Sequence, residues 1–123
     1  MDAFAIERRV DDDAVVVRAR GEIDSTTAAD LSACLKAGLA LASHHSARLL
    51  IVDLRAVTYF GSAGLNALLA CHSEGNAAGT SVHLIAAHDQ VIRPLQVTKL
   101  DTVLRVYPSP REAARPRRPE TQP

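Results

Sequence analysis

Four kinds of residue in this 123-residue chain could do chemistry: a serine between small residues, isolated aspartates, scattered histidines and two cysteines. Ser62 lies in Phe60-Gly61-Ser62-Ala63-Gly64, at the boundary between a loop and a helical pattern. A serine there serves as an N-cap, and an open helix N-terminus also presents free N–H groups and a positive dipole end to a phosphate. Nucleophilic catalysis fits poorly, because GxSxG needs glycine two residues before the serine and Phe60 occupies that position. Asp24, in Asp24-Ser25-Thr26-Thr27, has the chemistry of a cap or turn residue. Asp53 follows an apolar run with no second carboxylate or histidine at a telling spacing, so loop positioning fits it better than acid–base work. His44, His45, His72, His83 and His88 show no HExxH or comparable spacing, and Cys34 and Cys71 belong to no CxxC. Packing is the expected role of both cysteines, and no metal or cofactor is expected.

Composition narrows the classes further. Lys plus Arg and Asp plus Glu balance at 14 each, so no general basic field draws the chain to nucleic acid or to an anionic membrane. Four aromatic residues are too few to build stacking platforms for single strands. No apolar run approaches the length of a membrane span, and Met1 to Val10 alternates apolar with charged residues, unlike a signal peptide. A cytoplasmic protein is expected.

The elements that must position these residues follow from periodicity. Phe4, Ile6 and then Val15-Val16-Val17 with Ala19 predict an opening hairpin across Asp11-Asp12-Asp13, its second strand ending at Gly21. Leu31, Leu35, Leu39 and Ala42 mark a first helix. Leu49-Leu50-Ile51-Val52, apolar throughout, predicts a central strand covered on both faces and closed by Asp53, with a loop beyond. A second helix carries Leu65, Leu68 and Leu69 with His72 on one stripe, and Gly75 and Gly79 offer its stops. Val82 to Ala86 is a further strand, and a short helix near Pro94 requires that proline in its first turn. Val103, Leu104, Val106 and Tyr107 predict a last strand, and Ser109-Pro110 opens a last helix. The expected architecture is one α/β domain over 1–114, with a mixed sheet of about five strands and about four helices, followed by a disordered tail over 115–123.

The stretch Leu49 to Leu69 resembles the central signature of STAS-domain anti-sigma-factor antagonists, in which a buried strand ending in Asp-Leu leads through a loop to an Asp-Ser-Ser-Gly-Leu type motif. Gly21-Glu22-Ile23-Asp24 is similar to the family's Gly-Glu-Leu-Asp turn. Leu100-Asp101 and Val106-Tyr107-Pro108-Ser109 with Glu112-Ala113 are similar to its closing strand and helix, so the resemblance spans roughly Phe4 to Ala114. It implies a non-enzymatic switch, with Ser62 as the phosphorylated serine and Asp24, Ser25, Thr26, Phe60, Gly61, Ser62, Ala63, Gly64 and Asn66 facing a partner. That partner would be an anti-sigma factor that is also a serine kinase, with a separate phosphatase resetting the switch. ATP and magnesium belong to the kinase. The sequence departs from the family at Gly61, where aspartate is frequent, and at Ala63, where a second hydroxyl is common. The alternatives are a soluble STAS module that senses a nucleotide or small ligand or scaffolds a signalling assembly, and, from another class, a hydrolase built on Ser62.

Overall fold

The computed structural model describes residues 4–114. The tail expected over 115–123 lies outside the described residues. Five strands, β1 (Ala5–Val10), β2 (Val15–Ile23), β3 (Leu49–Phe60), β4 (Ser81–Ile85) and β5 (Arg105–Tyr107), form one sheet in the order β1-β2-β3-β4-β5. The β1–β2 hairpin is antiparallel, and every later pairing is parallel. Four helices, α1 (Ala28–Ser43), α2 (Ser62–Ala77), α3 (Asp89–Val97) and α4 (Pro110–Ala114), and a single 3-10 turn at Leu100–Thr102 complete it. The expected α/β class, opening hairpin and helix count are all observed.

Alternation along the strands divides the core in two. Val15, Val17 and Ala19 of β2 and Leu50, Val52 and Leu54 of β3 point to one face, where they pack with Leu31 and Leu35 of α1, Leu68 of α2 and Leu95 of α3. Leu49, Ile51 and Ile85 point to the other, where they pack with Ala14 and where, among the described residues, the five-residue α4 is the helix that covers them, through Ala113. Leu49 to Val52 is apolar at every position because both of its faces are buried.

Several expectations need correction. β2 does not end at Gly21 but runs to Ile23, with register irregularities between Arg18 and Arg20 and between Gly21 and Glu22. Gly21 sits at the second of these with φ 90°, a value that glycine adopts without a steric penalty. Asp53 likewise does not close β3. The longer β2 offers partners as far as Ile23, so β3 continues through Phe60, while its ladder with β4 ends at Asp53 and Ile85. The anticipated loop is therefore a two-stranded β2–β3 ribbon projecting beyond the sheet.

α2 passes Gly75 and ends at Ala77; Ala78 caps it, and Gly79 follows with a φ of 71° that turns the chain. Its buried stripe is Gly64, Leu65, Ala67, Leu68, Cys71 and Gly75, with Leu69 and His72 half-buried at its margin. Pro94 lies inside α3 rather than in its first turn. The carbonyl that loses its partner is that of Gln90, an exposed residue, so water can satisfy it. The last strand is only Arg105–Tyr107; Leu104 is buried ahead of it and Val103 is exposed.

Candidate functional site

The tip of the β2–β3 ribbon brings the two sequence motifs together. Ile23 pairs with Phe60, and the Gly61 amide donates to the Ile23 carbonyl at 3.0 Å, extending the ladder one residue past the strand ends. Asp24 and Gly61-Ser62 thus leave the ribbon side by side, one toward α1 and the other directly into α2.

Asp24 organises its own turn. Its Oδ1 accepts from the Thr26 hydroxyl at 2.7 Å, the Thr26 amide at 2.9 Å and the Thr27 amide at 3.2 Å. Thr27 Oγ1 donates to the Glu22 carbonyl at 2.9 Å and accepts from the Asp24 amide at 3.0 Å. The Thr26 hydroxyl and amide, with the Thr27 groups, outweigh desolvation and hold the Asp24 carboxyl below the usual carboxylate range. Ser25 and Thr26 stay exposed on the outside of this turn.

On the other side of the tip the N-cap of α2 is Gly61, extended at φ −96° and ψ −177°, and not Ser62 as the sequence suggested. Ser62 is instead the first helical residue, with an exposed side chain. The Gly61 carbonyl accepts the amides of Gly64 and Leu65, which leaves those of Ser62 and Ala63 at the open end of the helix. The first turn of α2 carries no acidic side chain. A serine hydroxyl therefore stands exposed at a positive dipole end with no neighbouring carboxylate on its own turn. Asn66, one turn on, is exposed as well.

Two of the expected partner-facing residues are buried. Phe60 is 4% exposed, and Gly64 lies against it: a Cβ at Gly64 would stand 2.7 Å from both Ile23 Cγ2 and Phe60 Cε1. These two residues seat the first turn of α2 on the ribbon and so set where Ser62 is presented. Ala63 and Gly61 are half-buried.

Tyr59 is the residue that sequence reasoning missed. Its ring lies over Gly61, with Cε2 3.1 Å from where a Cβ there would be, yet the side chain is 53% exposed. An aromatic one residue before a buried phenylalanine is the available signal, since alternation along β3 turns neighbours to opposite faces.

The remaining chemical groups are distant in role. Asp53, expected to position a loop, is buried in mid-strand; Arg55 donates to it from Nε at 3.0 Å and from a terminal nitrogen at 2.8 Å. Burial pushes its carboxyl upward, but the Arg55 hydrogen bonds and charge prevail and hold it below its ordinary value. His83, buried in β4, bonds the Ala113 carbonyl through Nδ1 at 2.8 Å and ties α4 to the sheet. Cys34 is half-buried, while burial of Cys71 pushes its thiol up to about 12. Among the described residues no group of three or more His, Cys, Asp or Glu could hold a metal ion, and no helix is long and apolar enough to cross a membrane.

The STAS domain family profile matches residues 5–113. The crystal structure of an anti-sigma factor antagonist from Mycobacterium paratuberculosis is 31% identical, with a TM-score of 0.81 over 90% of this chain and 91% of that one. SpoIIAA in its unphosphorylated form aligns at 21% identity and a TM-score of 0.68, over 90% of this chain and 92% of the other. The Bacillus cell fate determinant SpoIIAA in the phosphorylated form aligns at 20% and 0.63, over 90% and 96%. The last two show likeness of fold. This chain belongs to the STAS-domain family, and it is similar to the family's anti-sigma-factor antagonists.

Proposed function

We propose that this protein is a partner-switching anti-sigma-factor antagonist regulated at Ser62. Unphosphorylated, it binds an anti-sigma factor and frees the sigma factor held there; it performs no chemistry itself. The anti-sigma factor is a serine kinase that phosphorylates Ser62, and a phosphatase restores the binding form. The carrying observation is the exposed Ser62 hydroxyl at the open N-terminus of α2, held beside the Asp24 turn by the Gly61-to-Ile23 bond. Ser25, Thr26, Ser62 and Asn66 form the exposed part of the docking surface, with Asp24, Gly61 and Ala63 at its floor and Phe60 and Gly64 supporting it from beneath. The protein acts in the cytoplasm, where sigma factors work.

The switch follows from magnitudes. A phosphate adds about −1.5 to −2 charges, and at a helix N-terminus it stabilises the fold by roughly 0.3–1 kcal/mol. Desolvated within an interface, the same group costs several kcal/mol, and about 2.8 kcal/mol already means a hundredfold in affinity. Capture of the anti-sigma factor from the native cell, followed by calorimetric titration, tests this. Ser62→Ala is expected to bind like the unmodified protein, and Ser62→Glu about a hundredfold more weakly with an unchanged melting curve. Equal affinities for the two variants would refute the switch.

A further inference from the structure

The face of the sheet that α4 packs against holds a cavity remote in role from the ribbon tip. α1, α2 and α3 all pack on one face, and α4 shields only part of the other. Where that shield ends, a cavity of about 130 Å³ opens beside Pro110 and Ala114. Its floor is apolar: Val16 of β2 is the register partner of Ile51 of β3, and Ile85 of β4, opposite Asp53, lies diagonally from Ile51. Ile51 and Ile85 are 3% and 1% exposed, so both belong to the packed core of this face.

Charged residues line the rim, three arginines and three aspartates, and most are already matched. Arg9 grips Asp11 with two bonds, at 2.8 and 3.0 Å. Arg55 grips Asp53 in the same forked manner, at 2.8 and 3.0 Å. Arg18 is different. Its nearest carboxylates are Asp53 at 3.7 Å and Glu7 at 3.9 Å, both beyond hydrogen-bond reach. A half-exposed guanidinium that is ion-paired at long range but hydrogen-bonds neither carboxylate therefore stands at the edge of an apolar floor, and its fork of donors suits a closer carboxylate.

The geometry points to a binding site for a small organic monocarboxylate with a compact apolar body, a single ring or a short branched chain. The carboxylate pairs with Arg18 and the apolar body lies on Val16, Ile51 and Ile85. Size sets the class, since a dry cavity of roughly 150 Å³ takes one benzene ring. Charge sets it too: Arg9 is taken up by Asp11 and Arg55 by Asp53, which leaves Arg18 to attract one negative charge, while Asp13 and Asp53 on the rim repel a polyphosphate.

Benzoate is a suitable probe, benzamide its uncharged isostere and inorganic phosphate the anion without an apolar body. The whole 123-residue chain, labelled at its Ile, Leu and Val methyl groups, would be titrated with each and followed by NMR. Benzoate is expected to cause saturable shifts at Val16, Ile51 and Ile85 while the ribbon tip stays still. Benzamide should bind about 10- to 100-fold more weakly, the range of a charge-assisted hydrogen-bond pair. Arg18→Gln should weaken benzoate by the same factor, and Val16→Phe, which fills the floor, should abolish binding; melting curves check both folds. Absence of saturable shifts at these methyls, equal affinity for benzoate and benzamide, tighter binding of phosphate, or full binding by either variant would each overturn the proposal.

Discussion

Replacing Gly64 by alanine sets two opposing effects against each other at the seat of Ser62. Gly64 is in the first turn of a 16-residue helix, where alanine is favoured over glycine by about 1 kcal/mol. Against this, the new methyl would stand 2.7 Å from Ile23 Cγ2, 2.7 Å from Phe60 Cε1 and 3.1 Å from Phe60 Cδ1. Carbon atoms pack best at about 3.5–4.0 Å, so the contacts are short by roughly 1 Å. Neither neighbour can simply withdraw, since Ile23 is fully buried and Phe60 is 4% exposed. Overpacking of a tight core costs about 1–3 kcal/mol and can exceed that when two walls are fixed. With contacts this short the cost lies at the upper end of that range, so the steric effect wins and a net loss of up to about 2 kcal/mol is expected, a few degrees in melting temperature for a domain of this size. Relief comes by lifting the start of α2 off the ribbon, so the amide of Gly61, bonded to Ile23, should exchange faster with solvent. Urea denaturation with hydrogen exchange at Gly61 reads both effects, and Ala70→Gly on the exposed side of the same helix supplies the propensity term alone. A Gly64→Ala protein more stable than the parent by the propensity difference would refute the claim that close packing holds Ser62 in place.

Further outcomes follow from the same geometry. Gly61→Asp should be stability-neutral or better by a few tenths of a kcal/mol: the backbone there is ordinary extended chain, aspartate is a good N-cap, and the obstructing Tyr59 ring is half-exposed and can swing away. A melting-temperature loss of several degrees would show the ring to be fixed. Because the folded-state carboxyl of Asp53 is held below its unfolded value of about 3.9, its stabilising contribution is full above that pH and is lost as pH falls through the depressed folded value. Asp53→Asn should accordingly flatten the acid limb of a stability-versus-pH curve, and an unchanged limb would contradict the pairing with Arg55. Cys71, with its thiol raised to about 12, should resist iodoacetamide at pH 8 in the folded protein and react once unfolded; rapid native alkylation would show that α2 opens locally.

What the sequence determined by itself is the local chemistry. The four-residue spacing of Leu31, Leu35 and Leu39, which keeps to one face of a helix, defines α1, the unbroken Leu49–Val52 run defines a strand buried on both faces, and Ser109-Pro110 defines the start of α4, where the Ser109 hydroxyl accepts the Glu112 amide at 3.3 Å. These signals are local because capping and amphipathicity act within a turn or two. The family motifs around Gly21–Asp24 and Phe60–Leu65 were also readable, and they identified both halves of the candidate site. Their adjacency was not. It depends on β2 and β3 extending past Gly21 and Asp53, through residues whose exposed Arg55, Thr58 and Tyr59 look like a loop, because the hydrogen-bonding partner that makes them a strand lies some 35 residues away in the chain. Tertiary packing likewise moved the cap of α2 from Ser62 to Gly61, since the Gly61 amide is spent on Ile23 and leaves the serine side chain to solvent. It also decided that Phe60 and Gly64 support the site from the core while Ser62 presents it, a division that residue types alone do not carry.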